Sequence, residues 1–107
     1  MKRTKNTLTI GTRDKDDLQK VIAIDDAQNI IADILIGKYG IFAFTSWNCE
    51  GVYRMNDTGI IIREKSIRIE IVTDGKLDTI QAIIDDLKAA LNQESIMHEC
   101  TTANIEF

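Results

Sequence analysis

The stretch "IIIREKSIRIEIVTDGKLDTIQAIIDDLKAAL", residues 60–91, decides how the fold is read. Ile67, Ile69 and Ile71 alternate with Ser66, Arg68 and Glu70, the period of a strand with one buried and one wet face. Asp74-Gly75 ends the alternation. Leu77, Ile80, Ile83, Ile84, Leu87 and Leu91 then recur at helical spacing, with Asp78, Gln81, Asp85 and Lys88 on the other side, which predicts an amphipathic helix. Asp74 and Asp78 near its start suit the positive end of the helix dipole.

Upstream of this stretch, Asn56-Asp57-Thr58-Gly59 is a turn between two strand-like runs and predicts a hairpin. With Asp57 and Thr58 as the loop, the register puts Tyr53 opposite Ile62 and Gly51 opposite Glu64. The strand before the turn reads as residues 41–45 (IFAFT) and 52–55 (VYRM), with a break at 48–51. Farther back, Asp25 or Asp26 offers an N-cap. Ile30, Ile31, Ile34 and Leu35 fall at helical spacing before Gly37 and a Lys38-Tyr39-Gly40 stop. Thr7 to Ile10 alternates as a first strand ended by Gly11. Residues 12–17 read as a polar loop, and residues 21–24 as a short extended piece. Residues 95–100 and 104–107 supply a last strand that an interruption divides.

Strand, helix, strand, strand, helix, strand is the order of a ferredoxin-like two-layer sandwich, α+β, with two helices on one face of a four-stranded antiparallel sheet. At 107 residues one domain spanning 1–107 is expected. The first and third strands are then central, and Ile67, Ile69 and Ile71 face the helices. Strict alternation would carry Lys65, Arg63 and Ile61 to that same face, which is costly for charges. Either a bulge near residues 63–65 returns them to the open side, or the strand outruns the helix layer and its early half has no buried face.

Composition narrows the function. Seventeen acidic and thirteen basic residues leave a formal charge of −4, the sign that disfavours phosphate backbones, so no nucleic-acid partner is expected. No apolar run approaches the roughly 18 residues of a membrane span. No signal-peptide pattern follows the basic start, so the expected location is cytoplasmic. Cys49 and Cys100 are expected to be reduced thiols.

Two resemblances attach to these motifs. "IRIEIVTDGKLDTIQAIIDDL", residues 67–87, resembles the signal-transducing PII-like group, in which a strand, an acidic turn and a helix follow a long excursion between the second and third strands. That group is trimeric and binds nucleotides or small anions between subunits, although this chain lacks its basic, glycine-rich nucleotide loop. More loosely, residues 40–107 resemble a set of small bacterial and phage proteins of no assigned function. In these a Gly-x-Tyr (Gly51, Tyr53), a Glu-x-Ser (Glu64, Ser66) and a Gln-Glu-Ser (Gln93 to Ser95) recur in that order.

Among candidate side chains, His98 and Cys100 share a strand face at ligand spacing, but two ligands make no metal site and Cys49 belongs to the far edge of the sheet. Neither a metal nor a cofactor is expected. Glu64 with Tyr53 and His98 is the candidate acid-base set, should burial move a pKa toward neutrality. Trp47, Tyr53, Arg54, Arg63, Glu64 and Arg68 are the candidate ligand- or partner-binding residues, since Trp, Tyr and Arg are enriched in binding hot spots. Phosphate-loop and nucleophile-elbow motifs are lacking. The expectation is therefore a non-enzymatic binding or regulatory module. It forms a homodimer or homotrimer by covering the exposed isoleucines of its open sheet face, and it takes a small ligand or a partner protein at the cleft between subunits. The alternatives are a phage- or mobile-element-encoded inhibitor of a host protein and a small enzyme with Glu64 as its base.

Overall fold

The computed structural model describes all 107 residues. Four strands, β1 (Lys2–Gly11), β2 (Thr45–Arg54), β3 (Ile61–Thr73) and β4 (Met97–Asn104), form one antiparallel sheet in the order β2-β3-β1-β4. Helices α1 (Ile24–Ala32) and α2 (Ile80–Leu91) cover one face, and a π-helical segment (Asp33–Lys38) extends α1. The fold is the expected ferredoxin-like α+β sandwich, with β1 and β3 central.

Burial follows the period-two pattern. Leu8 and Ile10 of β1 lie opposite Ile69 and Ile67 of β3, and with Ile71 they form the sheet side of the core. Ala27, Ile31 and Leu35 come from the first helix and its extension, and Ile83, Ile84, Leu87 and Leu91 from α2. Each fully buried Leu or Ile contributes about 1.5–3 kcal/mol of transfer free energy. The residues of β3 between them, Ser66, Arg68 and Glu70, point to the uncovered face.

The structure corrects five of these readings. Residues 41–44 are not strand; Ile41 and Phe44 pack against the core from a coil. β2 has no break at 48–51, because Asn48 to Gly51 pair in continuous register with Ile67 to Glu64, and the long partner strand overrides the weak strand preference of Asn and Gly. β4 is one uninterrupted strand, and residues 21–24 contribute only a single bridge between Arg13 and Val21. Asp25 and Asp26 occupy the first turn of α1 instead of capping it, and the N-cap is Ala23.

The charged residues Arg63 and Lys65 are explained without a bulge. Register with β2 is unbroken from Thr45 opposite Glu70 to Arg54 opposite Ile61, and Tyr53 lies opposite Ile62 as the hairpin predicts. β3 outruns the helices, so Ile61, Arg63 and Lys65 stand exposed; Arg63 and Lys65 line a hollow walled by residues 21–25, where Arg63 pairs with Glu50 at 2.9 Å.

Gly40, at φ 65, stops the π-helical extension, with its N–H on the Ile36 carbonyl. Beside it, the Tyr39 hydroxyl donates to Asp86 Oδ2 on α2 and Lys38 Nζ lies 2.7 Å from the same oxygen. These contacts, that with Lys38 foremost, hold the Asp86 carboxyl below its ordinary value of 3.8. A depressed carboxyl contributes stability that is present above its unfolded pKa and is lost as pH falls through the folded one. Asp86→Asn should therefore lower the melting midpoint modestly at neutral pH, with the difference from the parent chain shrinking as pH falls below about 4, so that the acid limb is flatter in the variant.

Candidate functional site

On the open face, residues of equal register stand side by side. Glu64 lies opposite Gly51 in β2, and Tyr53 is its diagonal neighbour on the same face. On the β1 side, Gly11 lies opposite Ser66. A Cβ added to Gly11 would stand 2.5 Å from Glu64 Oε1, and one added to Gly51 would stand 3.3 Å from Ser66 Oγ and 3.8 Å from Glu64 Cγ. Two glycines thus clear the strands on either side of one carboxylate. Glycine inside a strand marks a place where something approaches the backbone closely, and here the approaching group is the Glu64 side chain.

Past Gly11 the chain turns across the end of β3. Thr12 Oγ1 donates to the Lys65 carbonyl at 2.7 Å, and the Arg13 N–H donates to Glu64 Oε2 at 3.1 Å. The Arg13 guanidinium reaches the Arg63 carbonyl at 2.9 Å and the Leu18 carbonyl at 2.7 Å. Gln93, buried just beyond α2, donates from Nε2 to the Arg13 carbonyl at 2.7 Å. The result is a cleft of about 660 Å³ whose floor and walls include Gly11, Gly51, Tyr53, Glu64, Ser66 and Gln93, with Arg13 and Lys15 on its rim. This size is typical of small-molecule sites. Burial, then the nearby Glu64 charge, pushes the Tyr53 phenol above its ordinary value, and Arg13 opposes them. Tyr53 is therefore a neutral hydrogen-bond donor at physiological pH. The Thr9 hydroxyl, also in the cleft wall, is buried without a partner.

The candidates from sequence are placed unevenly. Tyr53 and Glu64 are brought together. Trp47 and Arg68 share their face farther along the sheet, where the Arg68 guanidinium lies 5.7 Å from the Trp47 ring centroid and 3.1 Å from Glu99. Arg63 lies on the opposite face, and Arg54, opposite Ile61, shares that face and lies against Gly59 in the turn. His98 is not in the cleft: it stands opposite the core residue Leu8 on the edge strand, on the helix side of the sheet, and its Nε2 is 2.7 Å from Asn6 Oδ1. The alternation that puts Tyr53 and Glu64 on one face puts His98 on the other. Gly11, Arg13 and Thr9 were missed. The signal for Gly11 was a glycine at the end of an otherwise regular strand; Arg13 acts through its backbone and has no signature.

Gly11→Ala is expected to leave the melting midpoint within a few degrees, since a flexible carboxylate can swing away from the new methyl. It should nonetheless weaken any ligand that uses Glu64 by at least ~10-fold, read by titration calorimetry, because a misplacement of about 1 Å is enough for losses of that order.

No protein-family model matches the chain, and no curated protein matches it. Solved structures do. A phage SAM lyase in complex with S-methyl-5'-thioadenosine superposes with a TM-score of 0.70 at 22% identity, over 92% of this chain and 80% of that one. The GlnK–ATP complex of B. subtilis gives 0.55 at 17% identity, over 92% of this chain and 82% of that one. CutA from Synechococcus elongatus gives 0.54 at 15% identity, over 97% and 77%. No helix of the chain is long and apolar enough to cross a membrane. At these identities the likeness is one of fold, and at that level the chain resembles both the PII-like small proteins and a phage protein.

Proposed function

We propose that this chain binds a small sulfonium nucleoside of the S-adenosylmethionine type in the cleft over Glu64 and Tyr53, and cleaves its bond between sulfur and the amino-acid side chain. The observation that carries the reading is the fixed anionic group. Glu64 is held between Gly11 and Gly51, anchored by the Arg13 N–H, with the neutral Tyr53 phenol on its diagonal. A carboxylate on a cleft floor complements a cationic sulfur, and Arg13 and Lys15 on the rim complement the ligand's own carboxylate. The fold likeness to a SAM lyase holding S-methyl-5'-thioadenosine supports the choice of ligand.

The chemistry requires no added oxidant or reductant. The electron pair of the C–S bond goes to sulfur, which leaves as neutral S-methyl-5'-thioadenosine. The carbon left behind is satisfied in one of two ways, distinguished by the second product. If Glu64 takes the neighbouring proton, an unsaturated amino acid forms; if the substrate's own carboxylate closes on that carbon, a γ-lactone forms. In the first case Glu64 is a general base; in the second it is an electrostatic guide.

A second copy of the chain covers the open face in this proposal. Trp47, Tyr53 and Met97 expose 38%, 41% and 53% of their surface there, an apolar set that favours burial. The cleft would then be closed between subunits, and light scattering should give a multiple of 12.1 kDa.

The test is incubation of the purified protein with S-adenosylmethionine, with chromatography for S-methyl-5'-thioadenosine and mass spectrometry for the second product. Release of S-methyl-5'-thioadenosine above the uncatalysed rate supports the proposal, and its absence overturns the cleavage. Recognition without turnover, the reading that the fold likeness to the GlnK–ATP complex favours, would instead show as thermal stabilisation by an adenine ligand with no product.

A further inference from the structure

We propose that Asn92 is a positioning residue for Glu64: its side-chain amide holds the loop of residues 13–17 where the Arg13 N–H can aim the Glu64 carboxylate into the cleft. The inference rests on the preceding reading that Glu64 acts on a bound ligand.

Asn92 ends α2 in the left-handed conformation, φ 48 and ψ 53, the region where glycine is favoured. What asparagine adds there is an amide group. Its Nδ2 donates to Asp14 Oδ2 at 2.8 Å and to Asp16 Oδ2 at 3.0 Å, and its backbone carbonyl accepts the Lys15 N–H at 3.0 Å. The other Asp14 oxygen accepts the N–H groups of Asp16 and Asp17 at 2.9 and 3.0 Å. A run of three aspartates in four residues repels itself, and one donor group gathers two of them. The Asn92 hydrogen bond is also the leading cause that holds the Asp14 carboxyl below its ordinary value.

The next residues transmit the restraint. Gln93 holds the Arg13 carbonyl, and the Arg13 N–H holds Glu64. Arg13 is thereby fixed through its carbonyl, its amide and its guanidinium. Asn92 is the fixed post of this assembly, because α2 is locked to the core by Leu87 and Leu91, both essentially inaccessible. The loop contributes no residue of its own to the core.

A helix terminator and a positioning residue respond differently to glycine. Asn92→Gly keeps the left-handed backbone and removes only the amide. If Asn92 merely ends the helix, glycine leaves the protein unchanged or steadier. If it positions Glu64, the amides of Arg13, Asp16 and Asp17 should exchange with deuterium at least ~10-fold faster while those of Ile67 and Ile69 stay protected. In that case S-adenosylmethionine turnover should fall ~10-fold in kcat with KM within about twofold. Unchanged exchange at Arg13 overturns the proposal, as does faster exchange with unchanged kcat. Should the wild-type protein release no S-methyl-5'-thioadenosine, the cleavage reading fails by itself. The Arg13 exchange still decides whether Asn92 holds the carboxylate.

Discussion

Glu64→Gln is expected to lower cleavage of S-adenosylmethionine by about 10²–10⁴-fold, the range for loss of a positioned acid-base or charged group at a reacting centre. The substitution keeps the length of the side chain and leaves an oxygen to accept the Arg13 N–H, so the fold has no reason to change. The lost property is the negative charge between Gly11 and Gly51. The measurement is S-methyl-5'-thioadenosine released per enzyme under single-turnover conditions, beside a melting curve that should stay within a few degrees. A glutamine variant that retains most of the rate would remove Glu64 from the chemistry. A variant that no longer binds the ligand would show that the charge serves recognition.

Leu87→Ala should destabilise the chain by about 2–5 kcal/mol, the cost of emptying a fully buried leucine site. Leu87 is inaccessible and sits mid-helix on the face of α2 turned to the sheet. A domain near 100 residues has only about 5–15 kcal/mol in total, and each kcal/mol moves its midpoint by about 4–8 °C. A drop of about eight degrees or more in calorimetry is therefore expected. A drop below about three degrees would mean that the helix layer is not packed on the sheet as described.

Much of the architecture was legible because its signals are local. Isoleucines at 67, 69 and 71 repeat at two, the stripe from Leu77 to Leu91 repeats near 3.6, and Asn56 to Gly59 is turn chemistry. Those features lead to the element order, the hairpin register and the face on which Glu64 meets Tyr53. The misplacements at residues 41–44 and 48–51 share one cause. Residue preference is weak in strands, and a long partner such as β3 decides where pairing begins and ends. The aspartates at 25 and 26 were good caps by type, yet the N-cap is Ala23, two residues before Asp25.

The site was harder to read. Glu64 and Tyr53 could be named because the hairpin links them at short range. Gly11 and Arg13 approach Glu64 from about fifty residues away in sequence, and a backbone N–H carries no residue-type signature. His98 could be excluded only once the pairing of β4 with β1 set its face.

What the sequence by itself determined is which residues are buried and the order in which strands and helices follow, because the period of hydrophobic side chains is a property of adjacent residues. What only the tertiary structure decided is the surroundings of Glu64. The close approach of Gly11, the grip of Arg13 and the clasp at Asn92 all join segments far apart in the chain, and such contacts come into being only when β1 docks against β3 and the end of α2 meets the loop after β1.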